Sequence, residues 1–297
     1  MRSSLSQSVV LALVVLICAA PATARYTQDQ NMTVARMNGI DIAYTTTGNP
    51  EHPTVLLIMG LGASHRLWGE DFVNRIADAG FHVVLFDNRD TGQSAFLEEL
   101  GEPMILWEFI KNWFGFDVDA PYTLSDMAAD GMAVLDTLGV ERAHIVGASM
   151  GGMIAQIIAV EHAARIRSLV SIMSTTGAPH LPQPSNDART GLQNAADPDE
   201  DVAQRLSAMG FHPEAMPRQI TAILAAGDRS DQVTTISAPT LVLHGEDDML
   251  LKPPHGEHTA ALIEGSKLII YPGMGHNMPP EVVPKLASDM VTHMSAY

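Results

Sequence analysis

Residues 145–158 read IVGASMGGMIAQII, and they place Ser149 between Gly147 and Gly151. An apolar pair precedes the first glycine and an apolar run follows the second, so the segment predicts a strand, a sharp turn and a helix. A Gly-x-Ser-x-Gly sequence in this setting lifts the serine hydroxyl out at the carboxyl end of the strand, because its flanking positions must be small for the chain to turn. The backbone N–H of Met150 would then lie at a helix N-terminus, where the helix dipole stabilises negative charge.

Short apolar runs recur along the chain and alternate with stretches of helical pattern. Most are rich in β-branched residues, which is typical of buried strands in a parallel sheet built from βαβ units. These runs are Val55–Met59, Val83–Phe86, Ile145–Val146, Leu169–Met173, Leu241–Leu243 and Leu268–Tyr271. Near the start, Asn38 and Gly39 separate two alternating runs and predict a hairpin, so the sheet should open with an antiparallel pair.

Between these runs, the clearest helix is predicted over Leu124–Leu138, with Thr123 and Asp126 as a capping box at its start. The alternation breaks at residues 178–237, where a proline-rich stretch and an acidic run surround helical patterns at 202–209 and 217–226. We interpret this segment as a short cap, or lid, inserted into a single domain that spans residues 25–297.

Composition excludes several classes of protein. With 46% hydrophobic and 17% charged residues, the 297-residue chain should fold as an ordinary globular protein. Its net charge of −17 repels phosphate backbones and anionic headgroups, so nucleic acid is not an expected partner. Gly60 and Gly62 follow a strand, but His65 stands where a dinucleotide motif has its last glycine. The histidines lack metal-ligand spacing, so we predict neither a cofactor nor a metal.

The N-terminus has the three parts of a secretory signal. Arg2 is followed by the apolar run Val9–Ala20 and by Ala22-Thr23-Ala24, a small-x-small cleavage pattern. The run is too short for a membrane span, which needs about 20 apolar residues. We therefore predict a signal peptide over residues 1–24, cleaved after about Ala24, and a secreted or periplasmic protein without a stable membrane anchor. The single cysteine, Cys18, lies in the removed segment.

Two further strand ends supply the partners that a nucleophilic serine needs, a base and a group that orients it. The strand at 241–243 leads into Asp247 and Asp248, and the strand at 268–271 leads into His276. Each residue alone has an ordinary alternative, a capping acid or a solvated histidine. Their order along the chain, serine then aspartate then histidine, is the order expected of one serine-triad fold.

The Gly-x-Ser-x-Gly turn and the order serine, aspartate, histidine are features that residues from about 32 to 286 share with the α/β-hydrolases, and this part of the chain resembles that family. The resemblance implies an α/β fold with a mostly parallel central sheet, an antiparallel N-terminal hairpin and helices on both faces. It assigns His276, in a Gly-x-Gly-His sequence, as general base, and Asp248, in a Gly-x-x-Asp sequence, as the acid, with Asp247 as the alternative. In the turn at 59–62 it assigns the N–H of Leu61 as the second donor to the oxyanion, beside that of Met150.

Within the family, residues 59–94 and the residues from Arg218 onward are similar to the aclacinomycin methylesterase group, which cleaves a small ester on a bulky apolar ring system. The Asp87–Ser94 turn we interpret as structural, with Arg89 and Asp90 holding the loop beside the site.

The resemblance and the triad together predict a serine hydrolase that cleaves carboxylic esters of apolar small molecules through an acyl-enzyme on Ser149. Met249 and Met274 adjoin the acid and the base, so we expect them to line an apolar pocket. Residues 95–121 concentrate aromatic residues, including Trp107 and Trp113, in a chain that is only 5% aromatic. Such residues are commonly core, but we predict that these two wall the pocket. The same triad would also serve a lactonase, a thioesterase or a carbon–carbon bond hydrolase, and the fold could instead serve a non-catalytic binding protein.

Overall fold

The computed structural model describes residues 25–297, and the predicted signal peptide lies outside these described residues. Eight strands form one sheet in the order β1-β2-β4-β3-β5-β6-β7-β8. The strands are β1 (Thr33–Met37), β2 (Ile40–Thr47), β3 (Thr54–Ile58), β4 (His82–Phe86), β5 (Ala143–Ala148), β6 (Ile166–Ile172), β7 (Thr240–Gly245) and β8 (Lys267–Tyr271). The pairs β1–β2 and β2–β4 are antiparallel and all the others are parallel, which confirms the predicted architecture.

Within residues 25–297, ten α-helices connect and flank the strands. They are α1 (Glu70–Asp78), α2 (Ile105–Trp113), α3 (Leu124–Thr137), α4 (Met150–Glu161), α5 (Asn186–Ala196), α6 (Glu200–Met209), α7 (Met216–Ala226), α8 (Ser230–Val233), α9 (Pro254–Leu262) and α10 (Val283–Met294). Helix α3 begins at the predicted capping box, in which the Thr123 side chain accepts from the backbone of Asp126 and the Asp126 side chain accepts from the backbone of Thr123. Of these described helices, none has the length and apolar character that crossing a membrane requires.

The sheet separates two hydrophobic cores, as the fully buried strand β3 illustrates. Leu56 and Ile58 pack in the core beneath α3 and α4, whereas Val55 and Leu57 pack in the core beneath α1 and α10. Because side chains alternate across a strand, a strand buried on both faces needs a continuous apolar run. This is why the parallel strands could be located from sequence.

The segment between β6 and β7 contains helices α5 to α8. Helices α6 and α7 match the helical patterns at 202–209 and 217–226, whereas α5 was not predicted. An isolated bridge between Ala63 and Phe211 joins this segment to the turn after β3. The inserted helices therefore lie beside the carboxyl edge of the sheet.

Candidate active site

Ser149 occupies a strained turn between β5 and α4. Its φ of 56° and ψ of −120° are rare for a residue with a side chain, and strain of this kind clusters at functional sites. The turn is held on both sides: the Ser149 N–H donates to the carbonyl of Ile172 at 2.9 Å, and the Ser149 carbonyl accepts from the N–H of Gly152 at 2.9 Å. The hydroxyl is consequently fixed at the carboxyl end of β5, as predicted.

The glycines around Ser149 are required by close backbone contacts. A Cβ added to Gly147 would lie 2.0 Å from the carbonyl oxygen of Gly151, and one added to Gly151 would lie 2.0 Å from that of Ile58. A Cβ on Gly152 would lie 2.5 Å from that of Ser174. Helix α4 can therefore approach β3 and β5 this closely only because these positions carry no side chain.

The structure brings together the three residues that the sequence placed at separate strand ends. His276 Nε2 lies 2.9 Å from Ser149 Oγ, and His276 Nδ1 lies 2.7 Å from Asp248 Oδ2. The Asp248 side chain is fully buried, whereas that of His276 remains 20% exposed. Asp247 is exposed, so the geometry selects Asp248 as the partner of the histidine. A serine, an imidazole and a carboxylate in this chain of contacts can act as nucleophile, base and orienting group.

Asp248 is held rigidly because both of its oxygens have partners. While Oδ2 faces His276, Oδ1 accepts hydrogen bonds from the backbone N–H groups of Leu250 and Leu251, both at 2.9 Å. Behind it, His244 Nε2 lies 2.6 Å from the carbonyl oxygen of Leu251. Burial lowers the pKa of His244, so this imidazole stays neutral and donates to that carbonyl. His244 Nε2 lies 3.6 Å from Asp248 Oδ2, farther than the 2.7 Å that separates this oxygen from His276 Nδ1.

The segments that carry the two predicted oxyanion donors both adjoin Ser149. Met150 is the first residue of α4, so its N–H belongs to the helix terminus. The turn that carries Leu61 packs closely against the serine: a Cβ added to the neighbouring Gly60 would lie only 3.0 Å from Ser149 Cβ. The N–H of the following residue, Gly62, donates to Gln219 Oε1 at 2.7 Å.

Two buried ion pairs hold the Asp87–Ser94 turn and bear out its structural interpretation. Arg89 Nε donates to Asp130 on α3 at 2.7 Å, and Asp90 accepts two hydrogen bonds from Arg218 on α7, both of 2.9 Å. These pairs tie the turn to helices on both sides of it. They neutralise Arg89 and Asp90, so neither residue offers a free charge to a ligand.

The predicted substrate-binding residues are placed differently. Met274 is fully buried in the core beneath α1 and α10, so its side chain does not reach the solvent-exposed surface of the site. Trp107 and Trp113 lie on α2 but are 55% and 85% exposed, so they face solvent and do not wall a closed pocket. Met249 is exposed beside Asp248, and its carbonyl accepts from the N–H of Ser185 just before α5.

Gln219 and His244 are the residues at the site whose roles sequence reasoning missed. Gln219 was noticed only as part of a family-like stretch, and its contact with Gly62 spans 157 residues, beyond any local pattern. His244 is the penultimate residue of β7, before the acid, and no sequence signal indicates its burial. Within residues 25–297, no group of three histidine, cysteine, aspartate or glutamate side chains is arranged to hold a metal ion.

Comparison with known proteins gives one match to a family model, described as alpha/beta hydrolase fold, over residues 53–209, more than half of the chain. Rhodomycin D methylesterase of Streptomyces peucetius is 28% identical over 295 residues, covering 84% of this chain and 93% of the relative. Among solved structures, a hydrolase of Pseudomonas aeruginosa is 23% identical with a TM-score of 0.69, covering 90% of this chain and 99% of that one. The enol-lactonase of Burkholderia xenovorans is 21% identical with a TM-score of 0.67, covering 89% and 100%.

Proposed function

The chain belongs to the alpha/beta hydrolase fold family, and from this premise we propose that it is a serine hydrolase that cleaves carboxylic esters of apolar small molecules. The observation that carries the proposal is the continuous contact from Ser149 Oγ to His276 Nε2 and from His276 Nδ1 to Asp248. This arrangement activates a hydroxyl that is otherwise a weak nucleophile.

In the first half of the reaction, Ser149 Oγ attacks the ester carbonyl while its proton passes to His276 Nε2. Asp248 stabilises the imidazolium that forms, and it keeps the ring oriented through Nδ1. The N–H groups of Leu61 and Met150 stabilise the oxyanion, with about 3 kcal/mol per donor as the usual magnitude. His276 then returns the proton to the leaving alcohol, which leaves an acyl group on Ser149.

In the second half, a water molecule transfers a proton to His276 and attacks the acyl carbonyl. The carboxylic acid leaves, and Ser149 recovers its proton from the imidazolium. This half requires the solvent access that the partly exposed His276 provides. A chain with net charge −17 disfavours anionic substrates, so the substrate is an uncharged or weakly charged ester.

A small alcohol group on a bulky acid is the form of ester that we propose within this class. Support comes from the Streptomyces relative, which is a methylesterase. The enol-lactonase among the structural neighbours shares the fold alone, at 21% identity. Two isomeric naphthalene esters that both release an alkyl alcohol separate the possibilities: methyl 2-naphthylacetate carries the bulk on the acid, and 2-naphthylmethyl acetate carries it on the alcohol. We expect the higher kcat/KM for methyl 2-naphthylacetate.

The test of the serine hydrolase is hydrolysis of p-nitrophenyl esters from acetate to palmitate by the wild-type protein, Ser149→Ala and a control, Ser207→Ala. Ser207 is an exposed serine on α6. A fluorophosphonate probe, which phosphonylates activated serines irrespective of substrate with loss of fluoride, is applied in parallel and its adduct located by mass spectrometry. We expect hydrolysis and labelling in the wild type and the control, and neither in Ser149→Ala.

Other outcomes contradict the proposal in distinguishable ways. Ester hydrolysis that persists in Ser149→Ala would refute the assigned nucleophile. Probe labelling at Ser149 without hydrolysis of any ester would reject esters and favour a lactone, a thioester or a carbon–carbon bond as substrate. A folded wild-type protein with neither reaction would favour a non-catalytic binding protein.

Two further proposals concern the N-terminal segment and the insertion between β6 and β7. We propose that residues 1–24 are removed on export. The intact mass of the exported protein should then correspond to a chain that begins at Arg25. We also propose that residues 178–237 act as a cap over the site, because α7 contacts the turn that carries Leu61 through Gln219. Protection of the α5–α7 amides from hydrogen exchange on binding a phosphonate inhibitor is the expected result.

A further inference from the structure

Helix α2 turns its apolar side toward solvent. Leu106, Phe109, Ile110 and Trp113 follow the i, i+3, i+4, i+7 spacing of a single helix face. Their exposed fractions are 73%, 49%, 40% and 85%. Further exposed apolar side chains flank this face, and together they form what we call the α2 patch; the flanking residues are Met104, Trp107, Phe114 and Phe116.

The outward orientation of this face is fixed by a charged network on the opposite side of the helix. Glu108 is 5% exposed and accepts a hydrogen bond from the N–H of Asp119 at 2.8 Å. Lys111 Nζ lies 2.9 Å from Glu108 Oε2 and 2.7 Å from Asp119 Oδ2. Rotating the helix to bury its apolar face would expose Glu108 and break its contacts with Lys111 and Asp119. The apolar face is therefore a fixed feature of the surface.

A cluster of eight exposed apolar side chains along residues 104–116 marks a contact site more often than a bare protein surface. Its composition is that of membrane interfaces, with two tryptophans and three phenylalanines among eight side chains. The face is also convex, since it is the outer side of a helix, so it suits a deformable layer. Helix α2 packs on α7, which carries Gln219, so the α2 patch adjoins the helices next to Ser149.

Charge decides between the possible occupants of the patch. Lys111 is the single cation of residues 95–123, and it already faces two carboxylates. The neighbouring chain contributes exposed acids on both sides; these are Glu98, Glu99, Glu102 and Asp117. A second copy would bring the same acids and its own charge of −17, and an anionic bilayer would repel them. A zwitterionic lipid surface has no net charge, so it would not repel these acids as a second copy or an anionic bilayer would.

We propose that the α2 patch docks reversibly on the surface of a zwitterionic phospholipid layer, inserting Phe109 and Trp113 at the level of the headgroups. This binding goes beyond the proposed hydrolysis and does not depend on it. It would hold the protein at the interface where apolar esters collect.

The test is flotation of the purified protein with phosphatidylcholine vesicles and with vesicles of equal size that contain phosphatidylglycerol. The double variant Phe109→Gln/Trp113→Gln removes two aromatic groups, and the control Met209→Gln removes an exposed apolar side chain of α6. We expect binding to phosphatidylcholine that is at least about tenfold weaker in the double variant and unchanged in the control. Binding should weaken with phosphatidylglycerol, and Ser149→Ala should bind as the wild type does.

Tryptophan emission gives a second readout on the wild-type protein. Trp68 is buried, so a blue shift on adding vesicles reports Trp107 and Trp113. No flotation of the folded wild type, or equal flotation of the double variant with an unchanged circular dichroism spectrum, would overturn the proposal. A dimer in lipid-free sedimentation velocity that the double variant abolishes would assign the patch to a second copy and would also overturn it.

Discussion

Gln219 on α7 holds the backbone of Gly62 through a hydrogen bond of 2.7 Å from the Gly62 N–H to its Oε1. Its other amide atom, Nε2, donates to the carbonyl of Arg89 at 3.0 Å. One buried side chain thus spans the turn after β3 and the turn after β4. Leu61, whose N–H we assign to the oxyanion, is the neighbour of Gly62, so the position of that donor depends on the inserted helix.

We predict that Gln219→Leu lowers kcat of ester hydrolysis by about 10- to 100-fold, because a donor displaced by a fraction of an ångström stabilises the transition state less well. KM should change little, since the oxyanion contact is made mainly in the transition state. Steady-state kinetics on the best p-nitrophenyl ester measure both. The control is Gln193→Leu, at an exposed glutamine of α5. A rise in KM at constant kcat would contradict this positioning role.

A second link between α7 and the domain is the buried pair of Arg218 and Asp90. Besides its two bonds to Arg218, the Asp90 carboxylate accepts from the Tyr122 hydroxyl at 2.6 Å and from the Leu97 N–H at 2.7 Å. Arg218→Met would leave this carboxylate buried without a counter-charge. We predict a loss of about 3–5 kcal/mol in the free energy of unfolding, measured by urea denaturation.

The matched control for this pair is Arg75→Met, which breaks the ion pair of Arg75 with Asp71 at 2.8 Å. Both side chains there are substantially exposed, so the loss should stay below about 0.5 kcal/mol. The double variant Arg218→Met/Asp90→Asn should lose less than the sum of the two single variants, because each alone leaves a partner unpaired. Simple additivity would show that the two residues do not act as a pair.

The triad could be predicted because its members follow strands, and strands have strong local signals. Once β5, β7 and β8 are parallel neighbours or near neighbours, their carboxyl ends meet at one edge, and Ser149, Asp248 and His276 meet with them. No comparable sequence rule predicts the direction in which the side chain of a turn residue points. Met274 is only two residues from His276, yet its side chain turns into the core.

Helix α2 illustrates a different limit of prediction from sequence. Its apolar spacing indicates a buried face, because burial is the usual fate of such a stripe. The face is exposed because Glu108 and Lys111 take the inner position through their contacts with each other and with Asp119. That network involves a residue beyond the helix, so no pattern within α2 itself reveals it.

The structure predicts acid sensitivity that arises largely from buried neutral histidines. Burial lowers the pKa of His144 to about 4, and its Nδ1 lies 2.8 Å from Ser168 Oγ. In the unfolded chain the same group titrates near 6.5, so below that pH the unfolded state binds a proton that the folded state does not. The free energy of unfolding should fall as pH drops from about 7 to about 4, by about 3 kcal/mol from this residue.

Comparing the wild type with His144→Gln across this pH range isolates the contribution of His144 to the pH dependence of the free energy of unfolding. The variant should have a shallower decline between about pH 6.5 and 4, whatever its stability at neutral pH, because glutamine does not titrate. His52→Gln, at an exposed histidine, should decline as steeply as the wild type. Parallel curves for His144→Gln and the wild type would show that His144 is not the sensitive group.

The strained backbone of Ser149 predicts that function has a cost in stability. At φ 56° and ψ −120° a side chain is unfavourable, whereas glycine adopts this region freely. We predict that the free energy of unfolding, measured by urea denaturation, is about 1 kcal/mol higher for Ser149→Gly than for Ser149→Ala. Glycine usually has the opposite effect, because it gives the unfolded chain more freedom. Both variants lose the hydroxyl and should be inactive. If alanine were the more stable of the two, the turn would carry no strain, and its geometry would follow from packing of the glycines around it.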